Sequence, residues 1–240
     1  MLCIIYYFFC VWVCYMEINA IAKIYTDFDT KFGIPRQSLL SDNLTGRIVF
    51  EPEYRNPDSV RGLESFSHIW LIWQFSENIR EDYSPTVRPP RLGGNIRMGV
   101  FATRSPFRPN NLGLSCVSLD HIDFDCEDAP VIYVRGADLM SGTPVYDIKP
   151  YLPYSDCIPD ACEGFAPAPE DALEVVFENG CDSELPDDKL CALHDILALD
   201  PRPRYQEDGR EYGMSFAGKE IKFRVVDGTL YVVSISAKTF

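Results

Sequence analysis

The sequence lacks the short motifs that mark the commonest cofactor and metal sites. No G-x-G-x-x-G follows a predicted strand, and neither G-x-x-x-x-G-K-[ST] nor H-E-x-x-H occurs in the chain. These absences argue against a Rossmann dinucleotide site, a P-loop and a helix-borne zinc site. Only three histidines are present, and the nine cysteines include no C-x-x-C pair. We therefore predict no metal site and reduced thiols in a cytoplasmic protein.

Basic charge is also in short supply. The chain holds 22 Lys+Arg against 36 Asp+Glu, a formal net charge of −14, and its pI is about 4.6. Sequence-independent binding to nucleic acid depends on a basic surface that neutralises phosphates, so we expect no DNA partner. An RNA substrate would have to be held by a local basic patch.

A run long enough to cross a membrane is missing as well. Residues 1–15, MLCIIYYFFCVWVCY, are apolar but fall short of the ~20 residues that a membrane helix needs. They contain no Lys or Arg and no small-residue cleavage site, which argues against a signal peptide. We expect translation to begin at Met16, with residues 1–15 as an upstream extension and no stable membrane association. A hydrophobic anchor is the alternative.

One stretch departs from the acidic composition. Between Tyr83 and Leu119 there is no Asp, Glu or Lys, but there are five arginines: Arg88, Arg91, Arg97, Arg104 and Arg108. Prolines and two adjacent glycines within the stretch suit stiff loops that approach a ligand closely. Arginine presents a planar fork to carboxylate and phosphate groups. The pattern therefore indicates either an anion site or a set of surface arginines that balance acids elsewhere.

Short strands at regular spacing dominate the first two thirds of the chain. Apolar runs and alternating patterns predict strands at 17–25, 46–50, 67–75, 96–103, 114–122, 131–134 and 145–148. No convincing amphipathic helix precedes residue 160, and evenly spaced strands are typical of a sandwich or a closed barrel. The sequence thus predicts a mainly β fold, with a barrel domain over residues 16–160.

A second unit follows a proline-rich, acidic linker. The linker is GFAPAPED (164–171), and we place a smaller α+β domain at residues 172–240. Its predicted elements are a strand at 173–177, a helix at 186–199 and a hairpin that pairs 219–226 with 229–236. Asp227-Gly228 between the two hairpin strands is a strong two-residue turn signal.

Long strings in the chain resemble one family closely. They are KFGIPRQS (31–38), RGLESFSHIWLIWQFSEN (61–78), SPTVRPPRLGGNIRMGVFATRSPFRPNNLGLS (84–115), GADLMSGTPVYDIKPYLPY (136–154) and DPRPRY (200–205). By these strings the chain is identified as a member of the TsaA-like, or TrmO, family of S-adenosylmethionine-dependent tRNA methyltransferases. The resemblance runs from Met16 to about Phe165, and the DPRP segment extends it into the second unit.

The resemblance implies a fold and a reaction. The fold is a β-barrel methyltransferase domain that is unrelated to Rossmann-type enzymes. The reaction is methylation of N6 of threonylcarbamoyl-adenosine at position 37 of tRNA, beside the anticodon, with S-adenosylmethionine as the methyl donor. The implied partners are the tRNA anticodon loop and a second copy of the chain in a homodimer. A non-catalytic barrel that retains the donor pocket is the alternative function.

The resemblance also implies donor-binding residues, carried over motif by motif. They are Pro35, Arg36, Gln37, Ser76, Glu77, Arg104, Leu114, Asp138, Leu139, Met140 and Ser141. A carboxylate such as Asp138 accepts hydrogen bonds from a ribose hydroxyl or an amine, and Arg104 pairs with the methionine carboxylate. Two positions depart from the family pattern. Ser141 replaces a usual Asp, and Ser76-Glu77 stand where a histidine is common.

Five further residues are our candidates for holding tRNA phosphate or a modified base: Arg88, Arg91, Arg108, Arg202 and Tyr205. Guanidinium groups and aromatic rings suit a splayed anticodon-loop nucleotide. The catalytic residue is unknown. Tyr146 and Asp147 are guesses for a base, and the competing interpretation is that Asp147 pairs with Lys149.

Overall fold

The computed structural model of the chain describes residues 17–79, 82–166, 172–202 and 209–238, and for Arg91 the backbone alone. The hydrophobic run at 1–15, the expected start at Met16 and the candidate Tyr205 lie outside the described residues.

The first unit is built from eight strands. They are β1 (Ala22–Thr26), β2 (Thr45–Phe50), β3 (His68–Gln74), β4 (Thr86–Val87), β5 (Met98–Gly99), β6 (Leu112–Asp123), β7 (Val131–Arg135) and β8 (Thr143–Pro150). Six of these close into an antiparallel barrel in the order β1-β2-β7-β6-β3-β8, while β4 and β5 form a separate two-stranded sheet. The predicted mainly β barrel is confirmed. A single-turn helix, α1 (Pro153–Asp156), follows β8.

Two-residue alternation builds the barrel core. In β3 the side chains of Ile69, Leu71 and Trp73 are buried, while those between them are half-buried on the outer face. In β6 the same alternation turns Ser115 and Val117 inward. Successive side chains of a strand point to opposite faces, so register decides which residues meet inside.

The second unit packs one helix against a four-stranded sheet. Its elements are β9 (Glu174–Phe177), α2 (Asp187–Ala198), β10 (Glu211–Phe216), β11 (Lys219–Val226) and β12 (Thr229–Ala237), and the sheet order is β10-β11-β12-β9. The predicted hairpin is confirmed, with Asp227 at φ 49 and Gly228 at φ 80 as its two left-handed turn residues.

The loop between β1 and β2, residues 27–44, joins the two units. Phe28 and Leu44 are buried in the core of the second unit rather than in the barrel. Lys189 of α2 forms an ion pair with Asp27 at 2.7 Å. Asp195 of α2 accepts hydrogen bonds from Ser41 at 2.5 Å and Asn43 at 2.8 Å.

One predicted strand is wrong. Of residues 96–103, only Met98 and Gly99 pair with another strand, and Val100–Ala102 form a 3₁₀ turn. Ile96 and Phe101 are 53% and 72% exposed, and only Val100 of this apolar stretch is fully buried, so the stretch lacks the alternate burial of a core strand. Strand β10 had no counterpart in the sequence prediction. In the part of the chain that the structure describes, no helix is both long and apolar enough to cross a membrane.

Candidate functional site

One end of the barrel carries a cavity of about 570 Å³. Because the barrel is antiparallel, the last residues of β1, β3 and β7 and the first residues of β2, β6 and β8 meet at this end. Four segments line the cavity: the β1–β2 loop, the turn after β3, the loop before β6 and the residues between β7 and β8. A cavity of this size suits a small-molecule ligand of cofactor dimensions.

The cavity brings together most of the predicted donor-binding residues. Those that line it are Pro35, Arg36, Gln37, Ser76, Glu77, Arg104, Leu114, Asp138 and Met140. Leu139 and Ser141 do not. Leu139 is 1% exposed in the barrel core, and its carbonyl oxygen accepts a hydrogen bond from Thr26 Oγ1 at 2.9 Å.

Ser141 serves the same junction. Its Oγ accepts a hydrogen bond from the backbone N–H of Thr26 at 3.4 Å, and its own N–H donates to the carbonyl of Phe28 at 2.8 Å. In this structure Ser141 therefore fastens the β7–β8 connection to the end of β1. That role requires no carboxylate at position 141.

Asp138 is the acidic group at the inner end of the cavity. Ser115 Oγ donates a hydrogen bond to Asp138 Oδ1 at 2.6 Å, and Trp73 Nε1 donates to Ser115 Oγ at 3.0 Å. Burial raises the pKa of the Asp138 carboxyl, while the hydrogen bond from Ser115 and the charge of Arg104 oppose that rise. The carboxyl is thus held by the barrel wall and influenced by Arg104 across the cavity.

Gly113 makes room for this arrangement. It lies opposite Trp73 in the pairing of β3 with β6. A Cβ atom at position 113 would stand 2.3 Å from Trp73 Cε2, well inside contact distance. The indole ring therefore occupies space that only a glycine leaves.

Arg104 is oriented by the β1–β2 loop. Its guanidinium donates to Gln37 Oε1, and the amide of Gln37 in turn donates to the carbonyl of Arg36. Arg36 donates to the carbonyl of Arg202 at 3.2 Å. These hydrogen bonds, together with Arg36 itself, connect the cavity to Arg202, which follows α2 in the second unit.

The turn after β3 closes one side of the cavity. Ser76–Asn78 form a 3₁₀ turn, and Lys31 Nζ donates to the carbonyl of Glu77 at 2.8 Å. This contact uses the backbone of Glu77, so it does not depend on the departure from the family pattern at Ser76-Glu77.

The candidate tRNA residues are placed differently from one another. Arg108 lines the cavity, donates to the carbonyl of Thr103 at 2.7 Å and lies 5.6 Å above the ring of Phe101. Arg88 is exposed, and Arg91 lies in the 3₁₀ turn Pro90–Leu92. Arg202 does not line the cavity. It forms a two-pronged ion pair with Asp200 at 2.9 and 3.0 Å, and its side chain is only 12% exposed.

Neither guessed base lines the cavity. Asp147 forms an ion pair with Lys149 at 2.9 Å, as the competing interpretation has it. Tyr146 donates to Gln74 Oε1 at 2.7 Å, and Gln74 itself lines the cavity. Among the residues that the structure describes, no group of three or more His, Cys, Asp and Glu is arranged to hold a metal ion.

Sequence reasoning missed several cavity residues, chiefly Lys31, Trp73, Gln74 and Ser115. A signal for Ser115 was present, because alternation in β6 places it on the same face as Val117, where a polar side chain needs a partner. Its partners are distant in sequence, so the strings alone did not identify them.

Comparison with known proteins identifies the family to which both parts of the chain are similar. Two family models match the chain: the tRNA-methyltransferase O N-terminal domain over residues 23–157 and the TrmO C-terminal domain over residues 170–238. The chain is 38% identical over 233 residues to the tRNA (adenine(37)-N6)-methyltransferase of Escherichia coli K12, covering 92% of this chain and 98% of that protein. It is 45% identical over 175 residues to the protein of the same name from Eikenella corrodens, covering 72% and 98%.

A solved structure matches over nearly the same extent. The crystal structure of TrmO from Pseudomonas aeruginosa superposes with a TM-score of 0.76 at 30% identity, covering 94% of this chain and 99% of that one. A proposed S-adenosylmethionine-dependent methyltransferase of the same species, RcsF, is 40% identical over 209 residues, 82% of this chain and 87% of the relative. Matched in both parts and along most of its length, the chain belongs to the tRNA-methyltransferase O family.

Proposed function

We propose that this protein is an S-adenosylmethionine-dependent tRNA methyltransferase that methylates N6 of threonylcarbamoyl-adenosine at position 37. The observation that carries the proposal is that Arg104 and Asp138, residues of opposite charge type, line the same cavity. The names of the relatives, tRNA (adenine(37)-N6)-methyltransferase in two species, support the reaction. The threonylcarbamoyl group is our own extension, from the resemblance of the sequence strings.

The chemistry of the cavity fits the methyl donor. Arg104 offers a guanidinium to a carboxylate, Asp138 offers a carboxylate to hydroxyl or amine groups, and Leu114 and Met140 offer apolar contact to an adenine. Pro35, Arg36, Gln37, Ser76 and Glu77 complete the walls. When bound, S-adenosylmethionine supplies an electrophilic methyl group. The protein's part is to orient it and to exclude water.

The rim of the cavity fits the nucleic acid that carries the acceptor. Leu114 is 56% exposed and Phe101 72% exposed, so apolar surface for stacking lies beside Arg108. We assign Arg88, Arg91 and Arg108 to the anticodon-loop phosphates. Arg202 and Tyr205 remain candidates at the second unit, where Arg202 would have to act while paired with Asp200.

The acceptor nitrogen belongs to a urea-like group, so its lone pair is delocalised and removal of its proton would help it to attack. The methyl group replaces that proton, which leaves to a base or to solvent, while the donor departs as the neutral thioether. We assign no catalytic base. Asp147 is already paired with Lys149 and lies away from the cavity lining, which makes it a weak candidate. Positioning of the two substrates supplies the main acceleration in this proposal.

We further propose that the protein acts as a homodimer in the cytoplasm, where tRNA is found. Large apolar side chains on its surface support an interface, since Tyr154 is 88% and Ile158 is 69% exposed. Two separate cores support the proposed division into residues 16–160 and 172–240, with the exception of the β1–β2 loop, whose Phe28 and Leu44 lie in the core of the second unit. Light scattering on the purified protein measures the mass directly, and a monomeric mass at micromolar concentration would contradict the dimer.

The function is tested by deleting the gene and analysing threonine tRNA nucleosides by mass spectrometry. We expect methylated threonylcarbamoyl-adenosine to disappear while its unmethylated form accumulates. An unchanged level of the methylated nucleoside would sink the proposal. Calorimetry with S-adenosylmethionine, together with a turnover assay on modified tRNA, distinguishes the enzyme from the non-catalytic alternative. Binding of the donor without turnover would favour the alternative.

A further inference from the structure

Trp73, Ser115 and Asp138 form a line of hydrogen bonds in the wall of the cavity. With Asp138 ionised, the protons in this line can point in only one direction. The indole N–H of Trp73 can only donate, and an ionised carboxylate can only accept. Ser115 lies between them, 3.0 Å from Trp73 Nε1 and 2.6 Å from Asp138 Oδ1. Its single hydroxyl proton must therefore point at Asp138, while its lone pair receives the indole proton. Ser115 is 2% exposed and Trp73 is 7% exposed, so water does not compete for these bonds.

We propose that Ser115 is the positioning residue of Asp138, and that Trp73 fixes the orientation of the Ser115 hydroxyl. The line holds Asp138 Oδ1 from the barrel side while the same carboxylate lines the cavity. The hydrogen bond from Ser115 also favours the ionised carboxylate over the protonated one, against the burial that raises its pKa, because a charged oxygen accepts a hydrogen bond more strongly than a neutral one. The proposal rests on the proposed function only where it concerns the methyl donor.

Because side chains alternate along β6, Leu114 points to one face of the strand, and Gly113 and Ser115 lie on the other. Leu114 faces the cavity mouth and is 56% exposed, whereas Gly113 and Ser115 face inward on either side of the Trp73 indole. Gly113 leaves space for that ring, since a Cβ there would stand 2.3 Å from it. Phe75 packs against the same indole at 4.3 Å between ring centroids. The ring that donates to Ser115 is thus fixed on two sides.

The charge of Asp138 reports whether this positioning operates. Burial raises its pKa, and the hydrogen bond from Ser115 is the largest effect that lowers it, ahead of the charge of Arg104. The other charged groups that line the cavity are Lys31 and Arg36 from the β1–β2 loop, Glu77 from the turn after β3, and Arg108. Removing the Ser115 hydroxyl leaves all of these in place, so the pKa of Asp138 should rise.

The first test needs no ligand. The carboxyl of Asp138 is titrated by carbon-13 NMR in the full-length protein, its signal assigned by its loss in Asp138→Asn. We expect a higher pKa in Ser115→Ala and a smaller rise in Trp73→Phe, which keeps an aromatic ring but loses the N–H. Ser118→Ala is the matched control, because Ser118 is on the same strand but on the outer face, where it contacts His68 at 3.2 Å. Thermal unfolding confirms that each variant is folded.

The second test measures donor affinity by calorimetry below and above the Asp138 pKa values that the first test gives. Binding through an ionised Asp138 weakens as pH falls through its pKa, and in Ser115→Ala that loss begins at a higher pH. We expect Ser115→Ala to bind about tenfold more weakly than the wild type below both pKa values and nearly as well above them, with Ser118→Ala unchanged. Titration of the donor itself cancels in the ratio of the two affinities.

The outcomes separate the two proposals. An Asp138 pKa that is the same in Ser115→Ala and in the wild type overturns the positioning role, whatever the donor does. A defect in donor binding that is equal below and above both Asp138 pKa values overturns it as well. If the pKa rises as expected but the wild type binds no donor, the positioning role stands and the proposed function fails.

Discussion

Arg104 is the residue that joins the two halves of the site, since it touches the β1–β2 loop through Gln37 and acts on Asp138 through its charge. In a chain of net charge −14, a guanidinium hydrogen-bonded to a neutral amide keeps its charge for a ligand. We therefore expect recognition of the donor carboxylate to depend on Arg104 more than on any other residue of the proposed site.

Replacing Arg104 by alanine should weaken binding of S-adenosylmethionine by about 10- to 100-fold, because a charge-assisted hydrogen bond to the carboxylate is removed. Calorimetry measures the change. Arg61→Ala is the control, as Arg61 is exposed and its ion pair is with Asp58, away from the cavity. Equal affinities for the two variants would remove Arg104 from the donor site.

Gly113→Ala should lower the free energy of unfolding by about 1–3 kcal/mol, because the added Cβ overlaps the indole of Trp73 and the core must shift. Gly99→Ala is the matched control. Gly99 has φ −56, and a Cβ at this position would have no heavy atom within 4 Å, so its change should be nearly neutral. Urea unfolding of both variants decides the matter, and equal stabilities would contradict the packing described here.

The sequence strings predicted some of the residues that line the cavity, such as Arg104 and Asp138, but neither Ser115 nor the bonds that hold Asp138. Ser115 is separated from Trp73 by 42 positions and from Asp138 by 23. Those bonds exist because β3 pairs with β6 in one particular register, and a shift of one residue would turn Ser115 outward. Register is a property of the closed barrel, so local sequence could not supply it.

At the scale of elements, the β1–β2 loop has two faces. One side enters the core of the second unit through Phe28 and Leu44, and the other brings Pro35, Arg36 and Gln37 to the cavity. Gly33 lies between these two parts of the loop and has φ +97. A Cβ atom added at this position would stand 2.3 Å from Met214 Cε of β10. The second unit therefore helps to shape a cavity that none of its described residues lines.

Gly33→Ala should weaken donor binding by about tenfold although Gly33 does not itself line the cavity, because alanine is strained at φ +97 and its Cβ requires the loop or the Met214 side chain to shift. Gly218→Ala provides the comparison. It has a left-handed φ of +73 but nothing within 4 Å, so it adds backbone strain alone and should leave affinity unchanged. Identical donor affinities in the two variants would show that the loop is positioned independently of the second unit.

Strands with a clear period were predicted well, and those without one were not. Residues 67–75 and 219–236 contain long runs of β-branched and aromatic residues and form β3, β11 and β12. Residues 96–103 looked similar, yet they extend over the surface beside the cavity and pair only at Met98 and Gly99. In β10, Gly213 interrupts the pattern, and pairing with β11 supplies what local propensity does not.

At the scale of the whole molecule, charge is segregated. Residues 156–195 hold twelve Asp and Glu and one lysine, whereas residues 83–119 hold five arginines and no acid. Several arginines outside that stretch pair with acids, as Arg55 does with Asp128 and Arg224 with Glu178. Those of the stretch with described hydrogen bonds donate to neutral oxygens, as Arg97 does to Thr86 and Arg108 to Thr103. We infer that an acidic protein thereby keeps these arginines available to RNA.

Affinity for tRNA should accordingly fall as salt rises, despite the net charge of −14. Removing Arg88 or Arg108 by alanine substitution should reduce the slope of log affinity against log salt by about 0.7–0.9 for each phosphate that is no longer neutralised. Filter binding at roughly 50 to 300 mM KCl measures the slope. Arg61→Ala should keep the wild-type slope, and a flat dependence in the wild type would contradict a basic tRNA face.

The central claim is methyl transfer to tRNA at this cavity, and one reconstituted reaction tests it most directly. Threonylcarbamoylated threonine tRNA is incubated with the full-length protein and S-adenosylmethionine carrying a deuterated methyl group, then digested to nucleosides for mass spectrometry. We predict threonylcarbamoyl-adenosine with one labelled methyl group, formed by the wild type and absent with Asp138→Ala. A protein that binds the donor but leaves this nucleoside unlabelled would contradict the claim.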